Sequence, residues 1–193
     1  MSNIEDLASS IVYGTADKEL LNNNANKDSS RVSVMKNLVA GEVAKIMAEK
    51  LLPPNVMAAH KNGVIHFHDM DESPFYPMYN CALIDLKGML ANGFKMGNAD
   101  IETPKSIATA CAVTVQIIAQ VASAQYGGVS INRIDEILEP YVEQSYLKHL
   151  SKAKKWMNND KAVAAASDET KIEVYNACQS LEYEVNTLFT SQG

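Results

Sequence analysis

From residue 106 to residue 132 the chain carries no Asp, Glu, Lys, Arg or His. An uncharged segment of that length stays out of water in one of two ways: it crosses a bilayer, or protein covers it. Composition separates the two. Ala, Ser, Thr and Gln crowd the stretch, Leu is absent, and Gly127-Gly128 interrupts its second half. No aromatic belt marks both ends, so a helix buried by protein on both sides is preferred over a membrane span. Pro104 suits the helix start. Ile107, Cys111, Thr114, Ile118 and Val121 recur at helical spacing, and Gly127-Gly128 ends the run.

Other segments read less sharply. Ile4, Leu7, Ile11 and Val12 give a modest helical pattern, followed by an irregular polar segment over 22–28. Ser29 or Ser30 is the expected cap of a helix striped by Val34, Leu38, Val43, Ile46, Met47 and Leu51 and stopped by Pro53-Pro54. A short helix over 55–61 comes next. Residues 64–69 alternate as a short strand, Ser73-Pro74-Phe75-Tyr76-Pro77 turns the chain, and 80–85 is a second extended run. Residues 86–92 suggest a helical turn, and 93–104 a loop bent at Gly97-Asn98.

Downstream, Asn132 is the expected cap of a helix with Asp135 and Glu136 near its positive end and a kink or restart at Pro140. Asp168 and Glu169 open a last helix, with Ile172, Tyr175, Cys178, Leu181, Val185 and Leu188 as its inner face. Three long helices with short links favour antiparallel packing.

With 193 residues, 47% hydrophobic and 21% charged, the chain is long enough for a real core. Its net charge of −6 is spread without long like-charge blocks, which disfavours nucleic-acid and anionic-membrane surfaces. The cysteines Cys81, Cys111 and Cys178 form no CxxC pair, so neither a zinc ribbon nor a disulfide framework is supported. No secretory pattern opens the sequence, and a reducing cytoplasm is the expected location.

Three groups of residues are candidates for chemistry. His66 and His68 share one face of the expected strand, a spacing that suits a metal, while Asp69 falls on the other face. The competing reading has a histidine ordering a turn. Cys81 is either a reactive thiol or an inert small hydrophobe. Gln116 and Gln120, read as buried, must find partners and so mark an interface, a ligand or a helix–helix bond. Lys148, His149, Lys152, Lys154 and Lys155 form a basic helix end that holds phosphates or simply meets solvent.

Longer motifs narrow these choices. His66-Phe67-His68-Asp69-Met70-Asp71 is followed by Ser73-Pro74-Phe75-Tyr76-Pro77-Met78-Tyr79-Asn80-Cys81, then by Asp85-Leu86-Lys87-Gly88-Met89-Leu90. Gly93-Phe94-Lys95-Met96-Gly97-Asn98, Pro104-Lys105-Ser106-Ile107, Gln116-Ile117-Ile118-Ala119-Gln120 and Tyr126-Gly127-Gly128 continue the series. Together they resemble the anaerobic, glycyl-radical (class III) ribonucleoside-triphosphate reductases, over roughly residues 22–193.

The resemblance implies an α/β parent fold, a ten-stranded barrel of two half-barrels, of which this chain is a mostly helical portion with a few short strands. It implies radical chemistry in which a thiyl removes hydrogen from the ribose 3′ carbon and the 2′ hydroxyl leaves as water, with formate as reductant. Cys81 matches the second cysteine, across the substrate from that thiyl. His66, His68 and Asn80 are then expected in the wall of the substrate site, with no metal assigned. Deoxynucleoside triphosphate and ATP effectors are expected at a homodimer interface spanning about 105–157, with Glu102, Lys105, Gln116 and Lys148 as contacts.

The family's glycyl-radical segment, central-loop cysteine and C-terminal zinc CxxC pairs have no counterpart here, nor does an ATP-cone. Residues 1–193 therefore read as an N-terminal part of the barrel domain, inactive alone. The glycyl radical and structural zinc are expected in the C-terminal part. Expected partners are that part, a radical-SAM activating enzyme and ribonucleoside triphosphates, with no nucleic acid and no membrane. The alternatives are a stand-alone nucleotide-binding or dimerisation module and a non-functional remnant.

Overall fold

The computed structural model describes residues 4–21, 28–75 and 80–188, arranged in two compact units. The first takes the described residues up to Cys81 together with Ala122–Gly128; the second is Ala82–Val121 with Val129–Leu188. The expected irregular stretch at 22–27, and 76–79 of the Pro-rich turn with Met78, lie outside the described residues.

In the first unit, helix α1 (Ile4–Val12) packs on α3 (Val32–Leu51), beyond the short α2 (Lys18–Leu21). Their shared core is Ile11, Val34 and Leu38, with Leu20, Met35 and Val39 packed around it. The buried stripe of α3 runs through Val34, Leu38, Gly41, Ala44 and Ala48. The expected positions Ile46 and Leu51 are exposed, and Asp71 packs against Gly41 on the buried stripe. A Cβ on Gly41 would sit 3.0 Å from the Asp71 Cβ. Neither Ser29 nor Ser30 caps α3. Arg31 is the capping residue and makes no side-chain capping bond; its guanidinium lies 3.5 Å from the Asp28 carboxylate, to which the Ser30 hydroxyl also donates at 2.6 Å.

Helix α4 (Pro54–Lys61) starts on Pro54, whose missing N–H costs nothing in the first turn. The strand expected at 64–69 does not form. The N–H groups of Val64 and Ile65 donate back to the Ala59 carbonyl, and the N–H of Phe67 donates to His60 Nδ1. The helix end thus consumes the donors that a ladder would need, and Gly63 makes the return possible at φ 69°.

The second unit is built around strand β1 (Ala82–Ile84), which pairs in parallel with β4 (Val129–Ile131) in the register Ala82–Val129, Leu83–Ser130 and Ile84–Ile131. Between them come α5 (Leu86–Asn92), strands β2 (Phe94–Met96) and β3 (Ala99–Ile101), and α6 (Ile107–Ala124). Strands β2 and β3 form an antiparallel hairpin where a loop was expected. Its bend is at Gly97, φ 58°, as the sequence predicts. Strand β4 was not foreseen: it lies directly after the glycine pair that was read only as a helix stop.

Helix α7 (Ile134–Ala153) and α8 (Asn159–Asn186) form a helical hairpin. The capping residue of α7 is Arg133, in the left-handed region at φ 52°, and not Asn132. Helix α7 continues through Pro140 without a restart. Helix α8 begins well before Asp168, where the Asn158 side chain accepts from the Lys161 N–H and Ala-rich sequence follows. Its buried face is Ala162, Ala166, Thr170 and Ala177. Ile172, Tyr175, Cys178 and Val185, expected inside, are exposed. Alanines let the helices approach closely, so the large residues are turned outward.

The core of this unit gathers Ile84, Leu86, Leu90, Ile107, Ala110, Cys111, Ile117, Leu138, Tyr141 and Ala177. Helix α6 buries Ile107, Ala110, Cys111, Thr114, Val115 and Ile117, while Ala108, Ala112, Gln116 and Gln120 are exposed. It is the one helix among the described residues long and apolar enough to cross a membrane, with mean hydropathy 1.7. Here one of its faces is spent on the protein core. Buried polar groups are satisfied locally. The Ile107 N–H donates to Ser145 Oγ at 3.0 Å, and Thr114 and Thr170 donate to the carbonyls of Ala110 and Ala166.

Candidate active site around Cys81

Cys81 immediately precedes strand β1, and its thiol is exposed. The residue before it, Asn80, is half-buried and donates from Nδ2 to Asp69 Oδ2 at 3.0 Å. The same Asp69 oxygen lies 3.2 Å from His68 Nε2. Asp69 itself is left-handed at φ 51°, a region that Asp tolerates better than most residues. Its carbonyl accepts from the N–H groups of Glu72 and Ser73, and Ser73 Oγ donates to the His68 carbonyl at 3.2 Å. The sharp turn at 68–73 thereby aims the Asp69 carboxylate at Asn80.

The glycine pair completes the surroundings. A Cβ on Gly127 would overlap the Asn80 carbonyl, whereas one on Gly128 would lie 3.9 Å from Cys81 Sγ. Tyr126 is beside them. Burial first, then the nearby Asp69 and Glu72 carboxylates, push its phenol above the ordinary value. The histidines form a tilted ring series, with His60–His66 centroids 5.9 Å apart and His66–His68 centroids 6.0 Å apart.

A family model for anaerobic ribonucleoside-triphosphate reductase matches residues 23–193. The chain belongs to that family. Curated reductases of the same description are 61% identical in Salmonella typhimurium (strain LT2), over 90% of this chain and 24% of the relative. The figures are the same for Escherichia coli (strain K12), and in Enterobacteria phage T4 identity is 51% over 98% of this chain and 31% of the relative. The chain thus spans about a quarter to a third of the length of these reductases.

Of the residues singled out in this chain, His68, Asn80 and Cys81 come together through Asp69, and His66 joins them through its ring contact with His68. His66 and His68 do not share the face of a strand, since none forms there, and no group of three or more His, Cys, Asp and Glu among the described residues could hold a metal ion. Glu102 and Lys105 line one open hollow beside the β2–β3 hairpin, with Asn92, Phe94, Asp100 and Thr103. Gln116 and Lys148 are exposed on α6 and α7, outside that hollow. Gln116 and Gln120 are therefore not buried amides in this chain.

The sequence gives four further participants no part in this site: Asp69 falls on the opposite face of the expected strand, Gly127 and Gly128 read as a helix stop, and Tyr126 enters only within a family motif. The doubled glycine was the available signal, because adjacent glycines outside a strand mark close backbone approach.

Proposed function

We propose that this chain serves as the N-terminal part of an anaerobic ribonucleoside-triphosphate reductase, with Cys81 as the thiol that reduces the 2′ position. The observation carrying this reading is the exposed Cys81 held at the head of β1 by Asn80 and the Gly127-Gly128 turn. A thiol so fixed can meet a sugar at one repeatable distance, which is what an oriented reaction needs. The parallel β1–β4 pair with its long crossover is the kind of unit from which the parent barrel is assembled.

In the assembled enzyme a glycyl radical supplies the hydrogen-abstracting partner on the other side of the ribose. Cys81 delivers hydrogen to the 2′ carbon as the 2′ hydroxyl leaves as water. Formate is the balancing reductant: a ribonucleoside triphosphate and formic acid give the deoxynucleoside triphosphate, water and carbon dioxide. His66 and His68 stand beside this site, His68 against the Asp69 carboxylate and His66 against the His60 and His68 rings.

The exposed uncharged face of α6 supports a homodimer, since Ala108 and Ala112 permit close approach and no charge is buried by doing so. Effector triphosphates would bind there, within about 105–157, using Glu102, Lys105, Gln116 and Lys148. That surface alone also suits a dimerisation module without chemistry. Supplying the complementary part of the reductase together with the activating enzyme and formate decides between them. Deoxynucleotide formation that requires this chain supports the enzyme reading. Dimerisation tightened by a deoxynucleoside triphosphate, weakened in Lys148→Glu, and accompanied by no turnover under any complementation supports the module.

A further inference from the structure

We infer that Asp69 is a positioning residue: its carboxylate, shared between His68 and Asn80, holds the Asn80–Cys81 peptide against the Gly127-Gly128 turn. The inference rests on the reading of Cys81 as the reducing thiol, but its geometry stands by itself. Asp69 acts through the Asn80 amide at 3.0 Å, and a single carboxylate oxygen serves both Asn80 Nδ2 and His68 Nε2.

Two features argue that the arrangement is built and not incidental. Asp69 is one of two described non-glycine residues in the left-handed region, and it adopts that conformation at the point where its carboxylate meets Asn80. On the other side, the Asn80 carbonyl occupies the space that any side chain at position 127 would need. Asn80 is therefore gripped at both ends, its side chain by Asp69 and its backbone by a glycine. Cys81 lies between this gripped residue and Ala82 of the β1–β4 pair, so release of Asn80 frees one of its two neighbours.

The test reads Cys81 directly, by the rate of iodoacetamide labelling of its peptide in this chain, followed by mass spectrometry. Exposed Cys178 is the internal reference, and buried Cys111 reports unfolding. Asp69→Asn and Asp69→Ala both remove the charge, but only Asn keeps an oxygen that accepts from Asn80. The expected result is Cys81 labelling about threefold or more faster in Asp69→Ala than in Asp69→Asn, the change that losing one hydrogen bond brings. Asn80→Ala should match Asp69→Ala, and the double variant should label no faster than either. Equal rates in the Asn and Ala variants, or independent effects that multiply in the double variant, overturn the inference. If Cys111 labels in Asp69→Ala, the side-chain amide resonance of Asn80 decides instead. It should shift between parent and Asp69→Ser yet stay near its parental position in Asp69→Asn, and no shift in Asp69→Ser overturns the inference.

In the reconstituted reductase, Asp69→Ala should lower kcat with KM little changed, and Asp69→Asn should recover much of it. Coupled labelling with turnover indifferent to Cys81→Ser would leave the positioning intact and remove the catalytic reading. Turnover lost in Cys81→Ser with uncoupled labelling would do the reverse.

Discussion

Gly127 and Asn80 meet backbone to backbone: a Cβ at position 127 would overlap the Asn80 carbonyl oxygen. The neighbouring Gly128 has no such conflict, since its Cβ would make an ordinary 3.9 Å contact with Cys81 Sγ. The two glycines thus play different parts. Gly127→Ala is expected to destabilise the chain by about 1–3 kcal/mol, the range for forcing atoms into filled space. Gly128→Ala should cost well under that. Urea denaturation of both variants checks the contrast, and equal costs would mean that the Asn80 segment moves aside freely.

A second relationship holds the start of α6. The Ile107 N–H, in the first turn, has no partner within its own helix and donates to the buried Ser145 hydroxyl on α7. Ser145→Ala leaves that donor in a dry core and is expected to cost about 1–3 kcal/mol. Ser145→Cys, which keeps a weak acceptor of similar size, should cost less. A lower midpoint in urea for Ala than for Cys is the expected measurement.

Burial, and then proximity to Cys178, pushes the Cys111 thiol up from 9.0 to about 11. The unfolded chain ionises this thiol first. Its contribution to stability is therefore complete below about pH 9 and is lost as the pH rises toward 11. Between about pH 8 and pH 10.5 the urea midpoint of Cys111→Ala should fall less than that of the parent, whatever the starting difference. Parallel curves would show that Cys111 is not held neutral by the fold. At about pH 8 iodoacetamide should modify Cys81 and Cys178 and spare Cys111.

How far the sequence reached is clear from particular residues. The charge-free run announced α6 because charge and helical period are local properties, and Pro104, Gly97 and the β1 segment were readable for the same reason. Of the inner face expected for helix α8, Leu181 packs against the core while Ile172, Tyr175, Cys178 and Val185 face out. Large residues such as Ile172 and Tyr175 outweigh alanines in any periodicity, yet Ala162, Ala166 and Ala177 are what close helix packing selects. Ile172→Ala should accordingly cost under about 1 kcal/mol, while Ala166→Leu should cost about 1–3 kcal/mol. At the site, Cys81 and Asn80 were legible through family motifs. Asp69 and Gly127 stand in the same motifs, but their roles were not legible, because these depend on contacts between segments far apart in the chain, which no local pattern encodes.

The role of Cys81 is tested most directly by deoxyribonucleotide formation in a mixture of this chain, the complementary reductase part, the activating enzyme and formate. Cys81→Ser, Cys178→Ser and the parent chain are compared under identical conditions, with circular dichroism confirming equal folding. Loss of product in Cys81→Ser alone is the expected result, because a hydroxyl cannot give up hydrogen as a thiol does. Product formed by Cys81→Ser at the parental rate would contradict the assignment of Cys81 as the reducing thiol.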